Sequence, residues 1–150
     1  MFNILDITKV KMVRFTEEYS EYKNILNAMV NDLDTLHNRI HRPYSLEEIL
    51  ANEFFLFIYE TYVIGYTLLR QDKDPNTYMI RNFLIRKEYR GQGYGSLCFN
   101  IILSYLKYHV KAKKAVLMVS STNKPAKDLY VGYGFKPIDT EIHEKLFLRF

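Results

Sequence analysis

The stretch with the clearest chemical potential is IRKEYRGQGYGSLCFN, residues 85–100, in which Gly91, Gly93 and Gly95 alternate with larger residues. An apolar run precedes it and a helical pattern follows, so the glycines lie where a strand turns into a helix. A helix N-terminus exposes backbone N–H groups beside a partial positive charge, which suits an anion such as a pyrophosphate. A tight turn without any ligand would also use glycines, and this structural alternative stays open at this point.

Two familiar phosphate-binding motifs do not fit this loop. A Walker loop ends in Gly-Lys-Ser/Thr, whereas Gly95 is followed by Ser96 and Leu97. A dinucleotide fingerprint that begins at Gly91 would have its third glycine at Ser96. The segment about twenty residues further on, VKAKKAV, also offers no acid for a ribose. The general physics of a helix N-terminus therefore remains as the argument for a phosphate ligand.

The segment RGQGYG, Arg90–Gly95, resembles the R/Q-x-x-G-x-G/A signature of the GNAT superfamily of N-acetyltransferases, and the apolar strand and tyrosine of FLIRKEYR precede it as in that family. The later stretch SSTNKPAKDLYVGYGFKPI is similar to a second signature, an Asn, a small residue and a Leu-Tyr pair on a helix, then Gly-Phe. The resemblance covers residues 55–136, and the first fifty match only in layout. It implies a GNAT-like α/β fold with a central, mostly antiparallel mixed sheet flanked by helices. It also implies acetyl-CoA as donor and a primary amine as acceptor.

The resemblance further implies which residues hold the coenzyme. Backbone N–H groups of the glycine loop would bind the pyrophosphate, with Arg90 at its edge. The end of the preceding strand would pair with the pantetheine amides, and one of its N–H groups would polarise the thioester carbonyl. Lys124 and Lys127 are weaker candidates for phosphate contacts. The implied coenzyme site consists of Phe83, Leu84, Ile85, Arg90, Gly91, Gln92, Gly93, Tyr94, Gly95, Ser96 and Asn123.

Tyr130 corresponds to the family's tyrosine that protonates the departing CoA thiolate. It lies on the apolar row of its helix, from which a phenol can reach a wet cleft. The alternative is a core aromatic, as expected for many of the 13 tyrosines of this chain. The neighbouring Asn123 and the Gly134-Phe135 pair favour the catalytic role.

The general base is not identified by the sequence. An amine with a pKa near 10.4 is mostly protonated at pH 7, and its neutral form costs roughly 4 to 5 kcal/mol there. Relatives use a glutamate at positions that are Met79 and Met118 in this chain. Asn82 and Ser120 could orient a water molecule instead. Further candidates on other segments are Glu47, Glu48, Glu60 and His143.

No metal is expected. His37 and His41 are four residues apart, but no Cys or carboxylate completes a site at suitable spacing. The only cysteine, Cys98, falls in an apolar helical pattern, so a buried spectator thiol is expected rather than a nucleophile.

Hydrophobic periodicity predicts the elements that position these residues. FNILDI is predicted to be a first strand, and a long amphipathic helix should run from about Thr16 to Arg42. A short helix should follow, with Ser45 and Glu48 as its capping box. FFLFIYE and YVIGYTLLR predict a hairpin, and TYMIRNFLIR predicts the strand before the loop. The remaining predicted elements are a helix from Ser96 to Val110, a strand AVLMVS, a helix ending at Gly134, and two closing strands, FKPI and EKLFLRF.

Charge is unevenly distributed along the chain. Residues 16–60 contain nine acids and three bases, whereas residues 86–127 contain nine bases and one acid. The basic segment favours an anionic ligand, and the acidic segment favours a cationic acceptor such as a polyamine, an aminoglycoside or a basic peptide. The lysines are not interleaved with an aromatic platform, so nucleic acid is not expected as a partner.

Length and composition suggest one globular domain, 1–150, in the cytoplasm, because neither a leader pattern nor a membrane-spanning apolar run is recognisable. A homodimer is an option, although no interface is evident.

Two other functions stay open: an acyltransferase for another acyl group or acceptor, and a CoA-binding sensor that has lost turnover.

Overall fold

The computed structural model describes residues 9–36, 42–120, 122–138 and 144–150. Its strands are β1 (Val10–Arg14), β2 (Glu53–Tyr59), β3 (Tyr62–Gln71), β4 (Thr77–Ile85), β5 (Lys114–Val119), β6 (Lys136–Ile138) and β7 (Glu144–Arg149). Within these ranges they form one mixed sheet in the order β1-β2-β3-β4-β5-β7-β6. The expected α/β fold, a mixed sheet flanked by helices, is confirmed.

Four α-helices connect the strands in the described part of the chain: α1 (Lys23–Leu36), α2 (Leu46–Ala51), α3 (Tyr94–Ser104) and α4 (Lys124–Gly132). A π-helical turn, Tyr105–His109, extends α3. β4 and β5 are parallel and are joined through α3, which is the predicted strand-helix-strand crossover. Among the described residues, no helix combines the length and apolar character that crossing a membrane requires.

The long predicted helix is the main correction to the sequence-based expectation. Residues Glu17–Tyr22 form a 3-10 helix, α1 begins only at Lys23, and the Thr16 side chain makes no capping hydrogen bond. Three residues per turn bring Tyr19 over Tyr22, whose rings stack at 6.4 Å. Residues 37–41 lie outside the described ranges.

The first strand also differs from expectation. The predicted strand FNILDI lies outside the described residues, and the structure instead has β1 at Val10–Arg14, which pairs antiparallel with β2. Its burial alternates only weakly, because Lys11 and Arg14 interrupt the apolar positions. That irregularity explains why periodicity did not reveal it.

The chain divides into two compact units, of which the first comprises Met1–Leu68 and Asn82–Ile101. In this first unit, α1 and α2 pack on one face of β2 and β3 through a buried cluster that includes Leu26, Ile49, Phe54 and Tyr66. On the other face, the rings of Phe57, Phe83 and Phe99 form a chain with centroid distances of 5.9 and 5.7 Å. These contacts join β2, the end of β4 and α3, and they hold the strand end that leads into the glycine segment.

The second unit comprises Leu69–Arg81 and Ile102–Phe150. β5 pairs antiparallel with β7 along its whole length, and β6 pairs with β7 on the far side. Ala115, Leu117 and Leu146 are fully or almost fully buried in this part of the sheet. α4 begins at its N-cap Asn123 and is followed by Gly134, whose φ of 98° ends the helical conformation, as predicted.

Candidate functional site

The glycine loop, Arg90–Ser96, has the backbone conformation that an anion site needs. Gly91 and Gly93 have φ values of 74° and 91°, which other residues rarely adopt. The N–H of Leu97 donates to Gly93 O at 3.2 Å, which makes Gly93 the N-cap of α3. The N–H groups of Gly93, Tyr94 and Gly95 therefore precede the first N–H that bonds within the helix.

Nothing in the loop opposes a negatively charged ligand. Residues 89–97 contain no carboxylate. Among the described residues, a Cβ built on Gly91 would meet no atom within 4 Å, and one on Gly95 would meet only Ile85 Cγ1, at 4.0 Å. The space beside Gly91 and Gly95 is thus open in the direction of a Cβ, and the chemistry of the loop's backbone donors fits the pyrophosphate of acetyl-CoA.

Two side chains brace the loop against the segments before it. Arg90 Nε donates to Ile85 O at 2.7 Å, which ties the start of the loop to the end of β4. Gln92 Nε2 donates to Glu88 O at 3.1 Å, which closes the turn over Lys87–Tyr89. Both side chains therefore have a structural function, and the candidate donors to a ligand are the backbone N–H groups that precede the helical bonding, those of Gly93, Tyr94 and Gly95.

The end of β4 is distorted by one extra residue opposite Gly65. Asp72 N donates to Thr77 O at 2.9 Å and Arg86 N donates to Ile64 O at 2.7 Å, so β4 uses one residue more than β3 between these bonds. A Cβ on Gly65 would clash with Leu84 O and would lie 3.3 Å from Ile85 Cα. Leu84 and Ile85 thus both face Gly65, which is the pattern of a β-bulge.

The bulge lies in a part of β4 that extends beyond its pairing with β5. The parallel register runs from Thr77↔Lys114 to Ile80↔Leu117, whereas β4 continues to Ile85. Phe83 is half-buried, and Leu84 and Ile85 are buried. The predicted pantetheine strand, Phe83–Ile85, therefore adjoins the glycine loop directly along the chain.

Tyr130 lies on α4 in the second unit and is half-buried. Its ring centroid is 6.2 Å from that of Phe135, and its carbonyl accepts hydrogen bonds from Tyr133 N and Phe135 N, each at 3.1 Å. Burial raises the pKa of the Tyr130 hydroxyl to about 12. The phenol is therefore protonated at neutral and moderately alkaline pH, as a proton donor must be.

Asn123 and Lys124 both have structural partners at the start of α4. Asn123 Oδ1 accepts from Ala126 N at 3.4 Å and caps the helix. Lys124 Nζ forms an ion pair with Asp128 Oδ2 at 2.7 Å, one helical turn further on. Both partners of this ion pair are exposed, so its contribution to stability is small.

The two candidate water-orienting residues both take part in local hydrogen bonds. Asn82 is half-buried, and its backbone carbonyl, rather than its side chain, accepts from Thr67 Oγ1 at 2.6 Å. Ser120 Oγ shares a hydrogen bond with Thr122 Oγ1 at 2.8 Å. Met79 and Met118, which occupy the family's glutamate positions, cannot take up a proton.

Glu48 is excluded as a general base. Arg42 donates to both carboxylate oxygens, at 2.8 and 2.9 Å, and Ser45 completes the predicted capping box. The hydrogen bond from Arg42, followed by that from the Ser45 backbone, lowers the pKa of Glu48 to about 2. A carboxylate with this pKa stays ionised at neutral pH and remains bonded to Arg42 and Ser45, so it is a poor acceptor for the proton of an amine.

The three other candidate bases are Glu60, Glu47 and His143. Glu60 forms an exposed ion pair with Lys9 at 3.0 Å in the turn between β2 and β3. Glu47 is exposed in the first turn of α2. His143 lies outside the described residues.

Metal binding finds no support in the described ranges, where no three His, Cys, Asp or Glu side chains are grouped to hold an ion. His37 and His41 lie outside those ranges. Cys98 is buried, and burial raises the pKa of its thiol to about 12, which fits an unreactive thiol.

Sequence reasoning missed Gly65 as part of the site. Its signal was present as a single glycine inside an otherwise β-branched and aromatic strand pattern, YVIGYTLLR. Such a glycine indicates a bulge or a close approach of another backbone. The residue that Gly65 faces could only be identified from the pairing of β3 with β4.

Comparisons with solved structures show the fold. The spermidine N-acetyltransferase from Vibrio cholerae, solved in complex with CoA and spermine, is 17% identical with a TM-score of 0.74, over 95% of this chain and 96% of that one. An acetyltransferase from Thermus thermophilus is 12% identical with a TM-score of 0.74, over 97% and 100% of the two chains. Ard1 from Thermoplasma volcanium is 15% identical with a TM-score of 0.73, over 94% and 97%. Another structure of the V. cholerae enzyme is dodecameric.

A search of the curated proteins found no significant match. The family model of the acetyltransferase (GNAT) family, in contrast, matches residues 14–135, which include the glycine loop, the bulge and α4. Members of this family are acyltransferases that use acetyl-CoA. The match extends over most of the sequence, and the chain therefore belongs to the GNAT family of acetyltransferases.

Proposed function

We propose that the chain is a single-domain N-acetyltransferase that transfers the acetyl group of acetyl-CoA directly to a primary amine of a small cationic molecule or a peptide. The observation that carries the proposal is the glycine loop. Its positive φ angles at Gly91 and Gly93 and its position at the start of α3 direct backbone donors toward an anion. The family match over residues 14–135 supports acetyl-CoA as the source of that anion.

The residues of the first unit bind and orient the coenzyme, which supplies an activated thioester when bound. The backbone of Gln92–Ser96 holds the pyrophosphate, and Arg90 lies at its edge. The strand end Phe83–Ile85 offers N–H and C=O groups with the spacing of a neighbouring strand, which matches the amides of pantetheine. An N–H beside the bulge donates to the thioester oxygen and stabilises the negative charge that develops there.

The resemblance implies functions for two further residues, both on or beside α4. Asn123 contacts the pantetheine arm, a function that the resemblance implies in addition to its capping of α4. Tyr130 donates the proton that the departing thiolate needs, and its raised pKa keeps that proton on the phenol until transfer. Holding donor and amine together supplies much of the rate, because a reaction between two molecules becomes a reaction within one complex.

A cationic acceptor is favoured by the charge of the first unit. Glu17, Glu18 and Glu21 are all exposed on the 3-10 helix before α1, and Glu47 is exposed on α2. Exposed carboxylates raise the local concentration of a cation by electrostatic attraction. The spermine complex of the V. cholerae enzyme supports a polyamine as one such acceptor. No general base is assigned, and water oriented by Asn82 or Ser120 remains the proposal for removing the amine proton.

Release of CoA thiol from acetyl-CoA, measured against a panel of amines, tests this function. Polyamines, aminoglycosides and peptides with basic N-termini should stimulate thiol release, and neutral or acidic amines should be poorer acceptors. Turnover confined to neutral or acidic amines would refute the cationic acceptor. Turnover with alcohols, or with longer acyl-CoA donors only, would support the alternative acyltransferase.

A CoA-binding sensor is the second candidate, favoured by Met79 and Met118 at the positions of the family's glutamates. Calorimetry separates it from the enzyme. Binding of acetyl-CoA without turnover on any amine would support the sensor, and an absence of binding would reject both functions.

The proposal also includes a cytoplasmic location, with neither membrane nor nucleic acid as a partner, and assembly into a homodimer. Analytical ultracentrifugation tests the last point, and a monomer at micromolar concentration would contradict it.

A further inference from the structure

Besides the hydrogen bonds of Arg90 and Gln92, the aromatic side chain of Tyr94 anchors the glycine loop to the body of the first unit. Between Gly91 and Gly95 the other side chain is that of Gln92, which is exposed. Tyr94 is half-buried as the first residue of α3. A loop with glycine at every second position has high backbone freedom, so its conformation depends strongly on the packing of Tyr94.

Tyr94 lies between two other tyrosines in an edge-on arrangement. Its ring centroid is 5.7 Å from that of Tyr59, at an interplanar angle of 72°, and 6.1 Å from that of Tyr89, at 86°. Edge-to-face pairs at these distances are stabilising, because the positive edge of one ring meets the negative face of the other. Burial, and secondarily Tyr59 and Tyr89, raise the pKa of Tyr94.

Tyr59 and Tyr89 are themselves well fixed. Tyr59 ends β2, where its backbone pairs with Val10 of β1. The adjacent Glu60 closes the turn through the bond from its N–H to Lys9 O at 3.3 Å. Tyr89 N donates to Arg86 O at 2.9 Å in the turn just before the loop. The three rings therefore connect the β1–β2 pair to the first turn of α3.

We propose that Tyr59, which lies outside both glycine-containing motifs, is a positioning residue for acetyl-CoA binding: its ring fixes Tyr94 and thereby the backbone donors of the glycine loop. This inference rests on the proposed function. It identifies β2 as a second support of the loop, independent of the end of β4. The hydroxyl of Tyr59 is not required, because the contact is made by the ring.

The test compares three variants by calorimetry with acetyl-CoA. Tyr59→Ala should weaken binding by about three- to tenfold, the factor expected when one edge-on aromatic pair is lost. Tyr59→Phe should bind like the wild type. Tyr62→Ala is the matched control, since Tyr62 begins β3 in the same hairpin and is 59% exposed. If Tyr59→Ala does not fold, Tyr59→Leu replaces it, because leucine keeps the apolar bulk but lacks the edge-on ring. Tyr59→Leu should show the same loss of affinity for acetyl-CoA.

Amide hydrogen exchange of the ligand-free protein separates positioning from general destabilisation. In Tyr59→Ala, exchange of the Leu97 N–H, which makes the first bond of α3, should accelerate relative to amides of β5. If the wild type binds acetyl-CoA and Tyr59→Ala binds it with the same affinity, the positioning role of Tyr59 is overturned and the proposed function still stands. A wild type that binds no acetyl-CoA would refute the proposed function itself.

Discussion

Gly65 on β3 and the carbonyl oxygen of Leu84 on β4 are so close that a side chain at position 65 would clash with this oxygen. The bulge at Leu84 and Ile85 therefore depends on a residue of the neighbouring strand that lies outside the glycine motif. Since the bulge sets the direction of the strand end, Gly65 determines which backbone groups of β4 are presented at the proposed coenzyme site.

Gly65→Ala should damage both stability and catalysis. The new Cβ meets backbone, which cannot rotate away, so we expect a loss of about 1–3 kcal/mol in the free energy of unfolding. The turnover number should fall because the strand end shifts. Urea titration and thiol-release kinetics measure the two effects. Gly132→Ala is the control, since a Cβ there meets nothing within 4 Å among the described residues. Equal stability of the two variants would show that the bulge tolerates a side chain.

The side chain of Asn27 makes two hydrogen bonds whose loss should lower the free energy of unfolding. Its Nδ2 donates to Tyr44 O at 3.0 Å, its Oδ1 accepts from Tyr44 N at 2.7 Å, and only 7% of the residue is exposed. Asn27→Ala leaves both backbone groups of Tyr44 without these partners, and the free energy of unfolding should fall by about 1–3 kcal/mol. Asn52→Ala removes an exposed bond to Glu48 O and should cost much less, because water replaces it. Similar losses in both variants would contradict this account.

Acid stability should depend on Glu48. Its folded-state pKa of about 2 lies below its ordinary value of 4.5, so its stabilisation is present above pH 4.5 and is lost as the pH falls toward 2. The stability difference between wild type and Glu48→Gln should therefore be constant above about pH 5 and should shrink between pH 4.5 and 2. Urea unfolding at several pH values measures it. A difference that does not change over this range would mean that the Arg42 pair contributes nothing to folding.

Tyr130→Phe should lower the turnover number about 100-fold or more if the phenol is the general acid. Binding of acetyl-CoA should change little, because the ring is retained. The activity of the wild type should show no loss from Tyr130 ionisation below about pH 11, since its pKa is about 12. Tyr133→Phe, on the next turn, serves as the control. Full activity of Tyr130→Phe would remove the proposed acid.

Much of this architecture follows from local sequence signals. The capping box at Ser45, the hairpin of β2 and β3, the crossover through α3 and the glycine that follows α4, Gly134, each have a short-range physical cause, and all were predicted. β1 and the 3-10 helix before α1 were not predicted. Charged residues obscure the apolar period of β1. In the 3-10 helix, the stacking of Tyr19 on Tyr22 favours three residues per turn over the α-helical period.

Within the candidate site, the turn of the glycine loop into a helix could be predicted because Gly91, Gly93 and Gly95 lie within five residues of one another. Gly65 and Tyr59 could not, since their importance arises from contacts with residues more than 15 positions away. The ion pair that excludes Glu48 as a base likewise depends on the position of the Arg42 side chain, which no pattern reveals.

The affinity of Gly95→Leu for acetyl-CoA, measured by calorimetry, tests the central claim most directly. A Cβ at this position meets only Ile85 Cγ1, at 4.0 Å, among the described residues, so the variant should fold, but the longer side chain covers the donors of the loop and the end of β4. The variant should bind acetyl-CoA at least about tenfold more weakly, a loss of roughly 1.4 kcal/mol. Gly132→Leu is the matched control, because a Cβ at Gly132 meets nothing within 4 Å among the described residues, and this variant should bind like the wild type. An unchanged affinity in Gly95→Leu would contradict the conclusion that the backbone of this loop holds the coenzyme.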